Sequence, residues 1–364
     1  MAEGEMTGPL RLGVVGCDVT RATFGTACTR TDEVDVVAVM DSDMPMARIW
    51  SRRARSAKVW WEFAPFLREA QVEAALVSGP STVCAPRVRA LLEAGIAVLA
   101  VPPFASTLEE EDDLVSLARR MGRPLIPALT ARHEAYWNRA ARLLAEGRLG
   151  SDIVLRCDLS THRQHSDHRA AGNSWRDEMD AMLRRTAEPA CAWLGAALTV
   201  SADVDLREAP GTAPNLANMI VTHERGTSIH HLSRLHRRHL VEQFVFHGRD
   251  GMLVAATSGK RSPDPFQPWT MSLQSPGGGE VDVAPVSSLL AGPEAMDPYL
   301  ALLRDFVRAV RQGATPLSGM DQMRELSSVV AAAHHSSMAH VRVSLPLTGS
   351  AAILKALEDR SAAR

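Results

Sequence analysis

The chain has 364 residues, 46% of them hydrophobic and 23% charged, with a formal net charge of −2. That length exceeds one ordinary core and suits two domains of a soluble globular protein. With no block of like charges, nothing draws it to nucleic acid or an anionic membrane. The longest apolar stretches, such as 90–101, are broken, there by Glu93 and Gly95, so no segment of about 18 residues is expected to span a bilayer. The first residues have neither a basic n-region nor an apolar h-region, so no signal peptide is expected. Five cysteines (Cys17, Cys28, Cys84, Cys157, Cys191) form no CxxC pair and are expected as reduced thiols of a cytoplasmic protein. Only three of the 40 basic residues are lysines: Lys58, Lys260 and Lys355.

In chain order, residues 11–16 are an apolar run ending in glycine, as for a buried strand turning into a helix. Further strands are expected at 34–40, ending at Asp41-Ser42-Asp43, at 74–78 before Gly79-Pro80, at 96–101 before Pro102-Pro103, and at 124–128. Helical spacing fills the gaps, as at 86–94 and 108–121. This alternation predicts a Rossmann-type, doubly wound parallel sheet over 1–128. Residues 129–364 read differently. After a helix at 136–146, strand-like segments fall at 152–159, 198–206, 218–223, 227–235, 239–247 and 252–256, divided by turn signals such as Gly248-Arg249-Asp250-Gly251. This predicts an antiparallel meander, followed by a Pro/Gly-rich connection at 262–268 and 276–279 and two closing helices at 297–312 and 321–337. The expected fold class is α/β plus α+β, with the second domain, a mostly antiparallel open sheet and helices, serving substrate and oligomerisation.

Several stretches resemble one family in order. Pro80-Ser81-Thr82-Val83-Cys84 with Leu91-Leu92-Glu93-Ala94-Gly95 is similar to "TPN..H … ALEAGKHV". Trp175-Arg176 and Ala192-Trp193-Leu194-Gly195 resemble a substrate-loop tryptophan and an "RWLLG" helix end. Residues 246–251 resemble a "V.G..G.L" turn, and 299–338 a pair of closing helices. On these matches the chain resembles the Gfo/Idh/MocA oxidoreductases over about 10–345.

The resemblance implies an NAD or NADP site built on Gly16, Asp18, Arg21, Asp41, Pro80 and Pro102, and several of these residues depart from the family pattern. Where the family has GxGxxG, this chain has Gly16, Asp18 and Arg21. Asp18 sets a carboxylate where a diphosphate would lie, Arg21 offers a phosphate partner or an ion pair with Asp18, and Asp41 is placed for ribose hydroxyls or is a plain strand-end carboxylate. The family's "EKP" lysine is Pro102, within Val101-Pro102-Pro103; proline neither donates nor titrates. The family's D-x-x-x-H-x-x-D helix motif falls on Ala181, Arg185 and Glu188, or one residue earlier on Asp180, Arg184 and Ala187. Either register puts an arginine where the histidine belongs, and arginine stays protonated.

In place of those groups the sequence offers His162, His165 and His168 in one loop, and His230, His231, His236 and His239 on or between two strands. His165 and His168 are acid–base candidates; with Asp167 they also allow a weak metal reading that no ligand motif supports, so no metal is expected. Strand alternation sends His230 and His231 to opposite faces. Arg185 completes the catalytic candidates, and Arg132, Trp175, Arg176 and Arg184 are substrate-binding candidates for an anionic or planar ligand, each also readable as packing. The leading expectation is a redox-neutral enzyme (isomerase, lyase or cyclase) of specialised metabolism that takes a small polar or anionic substrate between its domains. An NAD(P)-dependent oxidoreductase with a displaced site and a catalytically silent partner are the alternatives. A homodimer or homotetramer is expected, with no nucleic-acid or membrane partner.

Overall fold

The computed structural model describes residues 8–17, 24–54, 57–160, 175–205, 216–233, 241–257, 269–274, 280–283 and 297–362. They form β1 (Leu10–Val15), α1 (Phe24–Thr29), β2 (Val34–Met40), α2 (Met44–Arg53), β3 (Lys58–Trp60), α3 (Phe63–Glu69), β4 (Ala74–Val77), α4 (Ser81–Glu93), β5 (Ala97–Ala100), α5 (Leu108–Met121) and β6 (Leu125–Pro127). A 3₁₀ turn (Ala131–His133) and α6 (Ala135–Ala145) follow, then β7 (Ile153–Ser160), α7 (Trp175–Leu194), β8 (Ala197–Val204), β9 (Leu216–His223), β10 (Gly226–Ser233), β11 (Val241–Gly248), β12 (Gly251–Thr257), β13 (Trp269–Gln274) and β14 (Glu280–Val283). The chain closes with α8 (Pro298–Gln312), α9 (Met320–Ala339), β15 (Val343–Ser344) and α10 (Ala351–Ala362). The residues divide into two compact units: 1–106, 110–129 and 299–320 in the first; 107–109, 130–298 and 321–364 in the second.

The first unit carries a six-stranded sheet, β3-β2-β1-β4-β5-β6, all parallel. Every residue of β4 and β5 is buried, which is why these strands are continuous apolar runs: a parallel strand is covered on both faces. Phe24, Trp50, Leu302, Leu303 and Phe306 pack into one cluster with Leu10, Leu12 and Leu76, so α8 belongs to this core. At the end of β2, Asp43 caps α2 by accepting from the Met46 amide at 3.1 Å. No sequence period marks β3, whose three residues are too few to show one; Trp60 is buried on it.

The second unit carries a nine-stranded sheet, β14-β13-β12-β11-β7-β10-β9-β8-β15. It is mostly antiparallel, and the expected simple meander is corrected at its centre, where β7 and β10 run parallel. The chain leaves β7, passes through α7 and returns by β8 and β9 before β10 docks beside β7. Residues 269–274 and 280–283 are strands that Pro/Gly-rich flanks hid from sequence reading. Tyr136, Phe244, Phe246, Trp193 and Trp269 form the aromatic centre of this unit's core. At the other end, β15 pairs with β8 only at Val343–Val200 and Ser344–Thr199. Beyond that point α9 takes over: Ser336 Oγ accepts the Ala202 N–H at 2.9 Å and Ser337 Oγ the Val204 N–H at 3.0 Å. Among the described residues, no helix is long and apolar enough to cross a membrane.

Candidate functional site

In the first unit, the turn after β1 keeps the one glycine it cannot lose. Gly16 has φ +89°, and a Cβ there would collide with the Ser78 carbonyl oxygen. Ser78 Oγ donates to the Gly16 carbonyl at 3.0 Å, tying the ends of β1 and β4 together. Asp41 reaches back to the same turn: its Oδ2 accepts the Cys17 N–H at 2.7 Å and its Oδ1 the Asp43 N–H at 2.9 Å. Each oxygen keeps a further lone pair. Arg87 on α4, not anticipated from sequence, is half-buried; burial lowers its pKa, while the charges of Cys84 and Asp41 oppose that fall. Its guanidinium lies 5.8 Å from the Phe63 ring centre.

Pro80 is the N-cap residue of α4. Pro102 precedes Pro103 through a cis peptide bond after β5. Asp18 and Arg21 lie outside the described residues. The glycine turn and Asp41 therefore fit the nucleotide end of a dinucleotide, whereas Pro102-Pro103 supplies neither a donor nor a titratable group at the other end.

In the second unit, α7 concentrates the charge. Arg185 is engaged on every side: Nε and Nη2 bond Glu242 Oε1 and Oε2 at 2.8 and 2.9 Å, Nη2 also bonds Glu134 Oε1 at 3.0 Å, and Nη1 bonds Thr130 Oγ1 at 2.9 Å. Burial works against its charge, but Glu242 and Glu134 hold its pKa well above the ordinary value. Burial raises the Glu134 carboxyl, which Arg185 only partly offsets and Glu242 raises further. The arginine expected as a catalytic group is thus the cation of a buried cluster.

Arg184, the next residue, is 7% exposed, and its Nε and Nη1 have no hydrogen-bond partner. One turn before it, Asp180 Oδ1 accepts from His334 Nε2 at 2.6 Å, both side chains being buried. One turn after it, Glu188 is pushed up to about 7 by burial, against the pull of Arg185, Arg132 and the Ala131 and Arg132 amides. Arg132 stands in the 3₁₀ turn with its guanidinium 5.7 Å from the Trp137 ring centre.

The strand histidines separate as alternation requires: His230 is buried and His231 exposed. His230 belongs to a continuous chain in which His223 Nδ1 contacts Gly195 O (3.0 Å), His223 Nε2 meets Ser228 Oγ (2.8 Å), that oxygen meets His230 Nε2 (2.8 Å), and His230 Nδ1 meets Thr186 Oγ1 (2.9 Å). Because Gly195 O only accepts, a neutral His223 carries its proton on Nδ1. The rest follows: Ser228 donates to His223, His230 donates to Ser228, and Thr186 donates to His230. Burial lowers the pKa of both rings, that of His230 to about 3.

The candidate histidines His162, His165 and His168, like His236 and His239, lie outside the described residues; Trp175 and Arg176 open α7, and their side chains are likewise outside them. The His334–Asp180 pair and the glutamates around Arg185 escaped sequence reading, since the partners of each contact are 154 and 51–57 residues apart. On the outward face of β8–β10 runs a groove of about 460 Å³, lined by Ser201, Asp203, Ile220, Ile229, His231 and Arg342.

Residues 10–129 match the model of an oxidoreductase family with an NAD-binding Rossmann fold, the Gfo/Idh/MocA family. The match covers about a third of the chain, and it is this domain that is similar to the Gfo/Idh/MocA oxidoreductases. Curated relatives include inositol 2-dehydrogenase 2 of Saccharopolyspora erythraea, 29% identical over 165 residues, 45% of this chain and 46% of the relative. D-glucoside 3-dehydrogenase of Escherichia coli is 28% identical over 129 residues, 34% of this chain and 36% of the relative. The chain thus matches about half or less of the length of these relatives. Among solved structures, an oxidoreductase from Agrobacterium radiobacter in complex with NAD+, L-tartaric acid and magnesium superposes with TM-score 0.77 at 16% identity, covering 92% of this chain and 98% of that one. A 3-ketoreductase from Actinomadura kijaniata in complex with NADP and TDP-benzene gives 0.76 at 19% identity, covering 90% and 98%. At these identities the superpositions show the shared Gfo/Idh/MocA fold.

Proposed function

We propose that this Gfo/Idh/MocA-fold protein is a redox-neutral enzyme (isomerase, lyase or cyclase) of specialised metabolism acting on a small polar or anionic substrate. The observation that carries this reading is the state of Arg185. By the resemblance it occupies the family's histidine position in the leading register; here the guanidinium is consumed by Glu242, Glu134 and Thr130. A permanently protonated group with all three of its nitrogens engaged cannot exchange a proton with substrate. Pro102, at the position of the family's lysine, points the same way. Bound NAD or NADP would supply hydride chemistry; Gly16 and Asp41 are the described residues that would hold its nucleotide end.

Titration of the purified protein with NADH and NADPH tests this reading. The expected result is no tight binding with a change in nicotinamide fluorescence, and such binding would sink it. The outcome then favours the second reading, an NAD(P)-dependent oxidoreductase with a displaced site, which the retained Gly16 turn and Asp41 support. The groove with exposed Ile220 and Ile229 supports a homodimer or homotetramer built face to face on the outer sheet surface, to be read by sedimentation of wild-type protein against Ile229→Asp.

A further inference from the structure

Two adjacent arginines on α7 are treated in opposite ways. Arg185 has each of its three nitrogens bonded to an acceptor of its own unit, while Arg184, 93% buried, leaves Nε and Nη1 unmatched among the described residues. A buried guanidinium without a carboxylate is an unfinished arrangement, because desolvation of the charge is compensated only by a bound anion or full hydrogen bonding.

The surroundings of Arg184 specify the missing partner. Asp180, Arg184 and Glu188 are spaced i, i+4, i+8 and line one side of the helix. Neither carboxyl bonds Arg184: Asp180 Oδ1 receives His334 Nε2 at 2.6 Å, and Glu188 turns to the Ala131 and Arg132 amides. The other ring nitrogen of His334, Nδ1, is also buried without a hydrogen-bond partner. Nε2 is committed to the Asp180 carboxylate, so Nδ1 is the ring's remaining hydrogen-bonding atom. One helical turn, ~6 Å of rise, separates Asp180 from Arg184. Through Asp180, the His334 ring is thus tied to the turn of α7 that precedes Arg184.

We propose that Arg184 and His334 form a binding site for a hydroxylated oxyanion. Arg184 holds the carboxylate or phosphate head, and His334 Nδ1, fixed by Asp180, bonds a neighbouring hydroxyl. This rests on the proposed function only in taking such an anion to be the substrate; binding itself is independent of the reaction and of dinucleotide.

The test is thermal and calorimetric titration of the full chain with inorganic phosphate, propionate and glycerate at constant ionic strength in chloride. Saturable stabilisation beyond chloride is expected, with glycerate at least fivefold tighter than propionate. Arg184→Met should abolish the saturable response and leave the anion-free midpoint unchanged or higher, since it removes an uncompensated charge. Arg184→Lys should weaken binding about tenfold, having lost the fork. His334→Asn should bind propionate as before and lose the preference for glycerate. A wild type without saturable stabilisation, or an Arg184→Met protein that binds as tightly, overturns the proposal. So does an Arg184→Met midpoint that falls sharply, which marks a structural arginine. The nicotinamide titration reads a different ligand, so either reading can fail while the other stands.

Discussion

Arg185 and Glu242 meet through two parallel hydrogen bonds, Nε to Oε1 at 2.8 Å and Nη2 to Oε2 at 2.9 Å, the most constrained geometry an ion pair adopts. Glu134, 3.0 Å from the same guanidinium, makes the cation answer to two buried carboxylates. Arg185→Met leaves both without a counter-charge, so the unfolding free energy should fall by about 3–5 kcal/mol. Urea unfolding with an unchanged slope reads it; a loss under ~1 kcal/mol would contradict the cluster's structural role.

His230 predicts an acid limb. Its folded pKa of about 3 lies below the ordinary ~6.5, so between those values the unfolded chain binds a proton that the folded chain refuses. Its contribution to stability is complete above pH 6.5 and is lost as pH falls toward about 3. In His230→Gln, the difference in unfolding free energy from wild type should shrink steadily as pH drops through this window. A difference independent of pH would refute the neutral chain through Ser228 and His223.

Glu188 acts in the opposite sense. Its carboxyl is raised to about 7, so its contribution is present below ~4.5 and is lost as pH rises through 7. Glu188→Gln keeps the shape without the ionisation, and should gain on wild type by up to ~3 kcal/mol between pH 4.5 and 8. Parallel stability profiles for the two proteins would show that Glu188 ionises as an ordinary carboxyl.

Gly16→Ala should cost more than ~2 kcal/mol. The new methyl meets the Ser78 carbonyl and the φ of +89° is strained for any L side chain. Calorimetry of the full chain checks it, and an unshifted transition would mean that β1 and β4 part easily at this turn.

Much of the fold was legible because its signals are local. The periods of 34–40, ending at Asp41-Ser42-Asp43, and of 108–121, ending at Gly122, match β2 and α5 residue for residue. β3 and β13 were not legible, one because three residues carry no period and the other because prolines and glycines crowd its flanks. The site was legible only as residue identity. Arg184 and Arg185 read as an undifferentiated pair; which one is saturated depends on Glu134 and Glu242, brought in from another helix cap and another strand. His334 carried no local signal at all, since its meaning comes from Asp180, 154 residues away.

The serine hydroxyls of α9 also bear on how copies of this chain can join. A strand at the border of a sheet ordinarily offers a row of N–H and C=O groups on which a foreign strand can template itself. Along β8 the short β15 takes the first part of that row, and Ser336 and Ser337 take the Ala202 and Val204 amides. A helix has stoppered the border, and lengthening of the sheet by a neighbouring molecule is blocked at this end. Growth into an endless ribbon through β8 is therefore closed off.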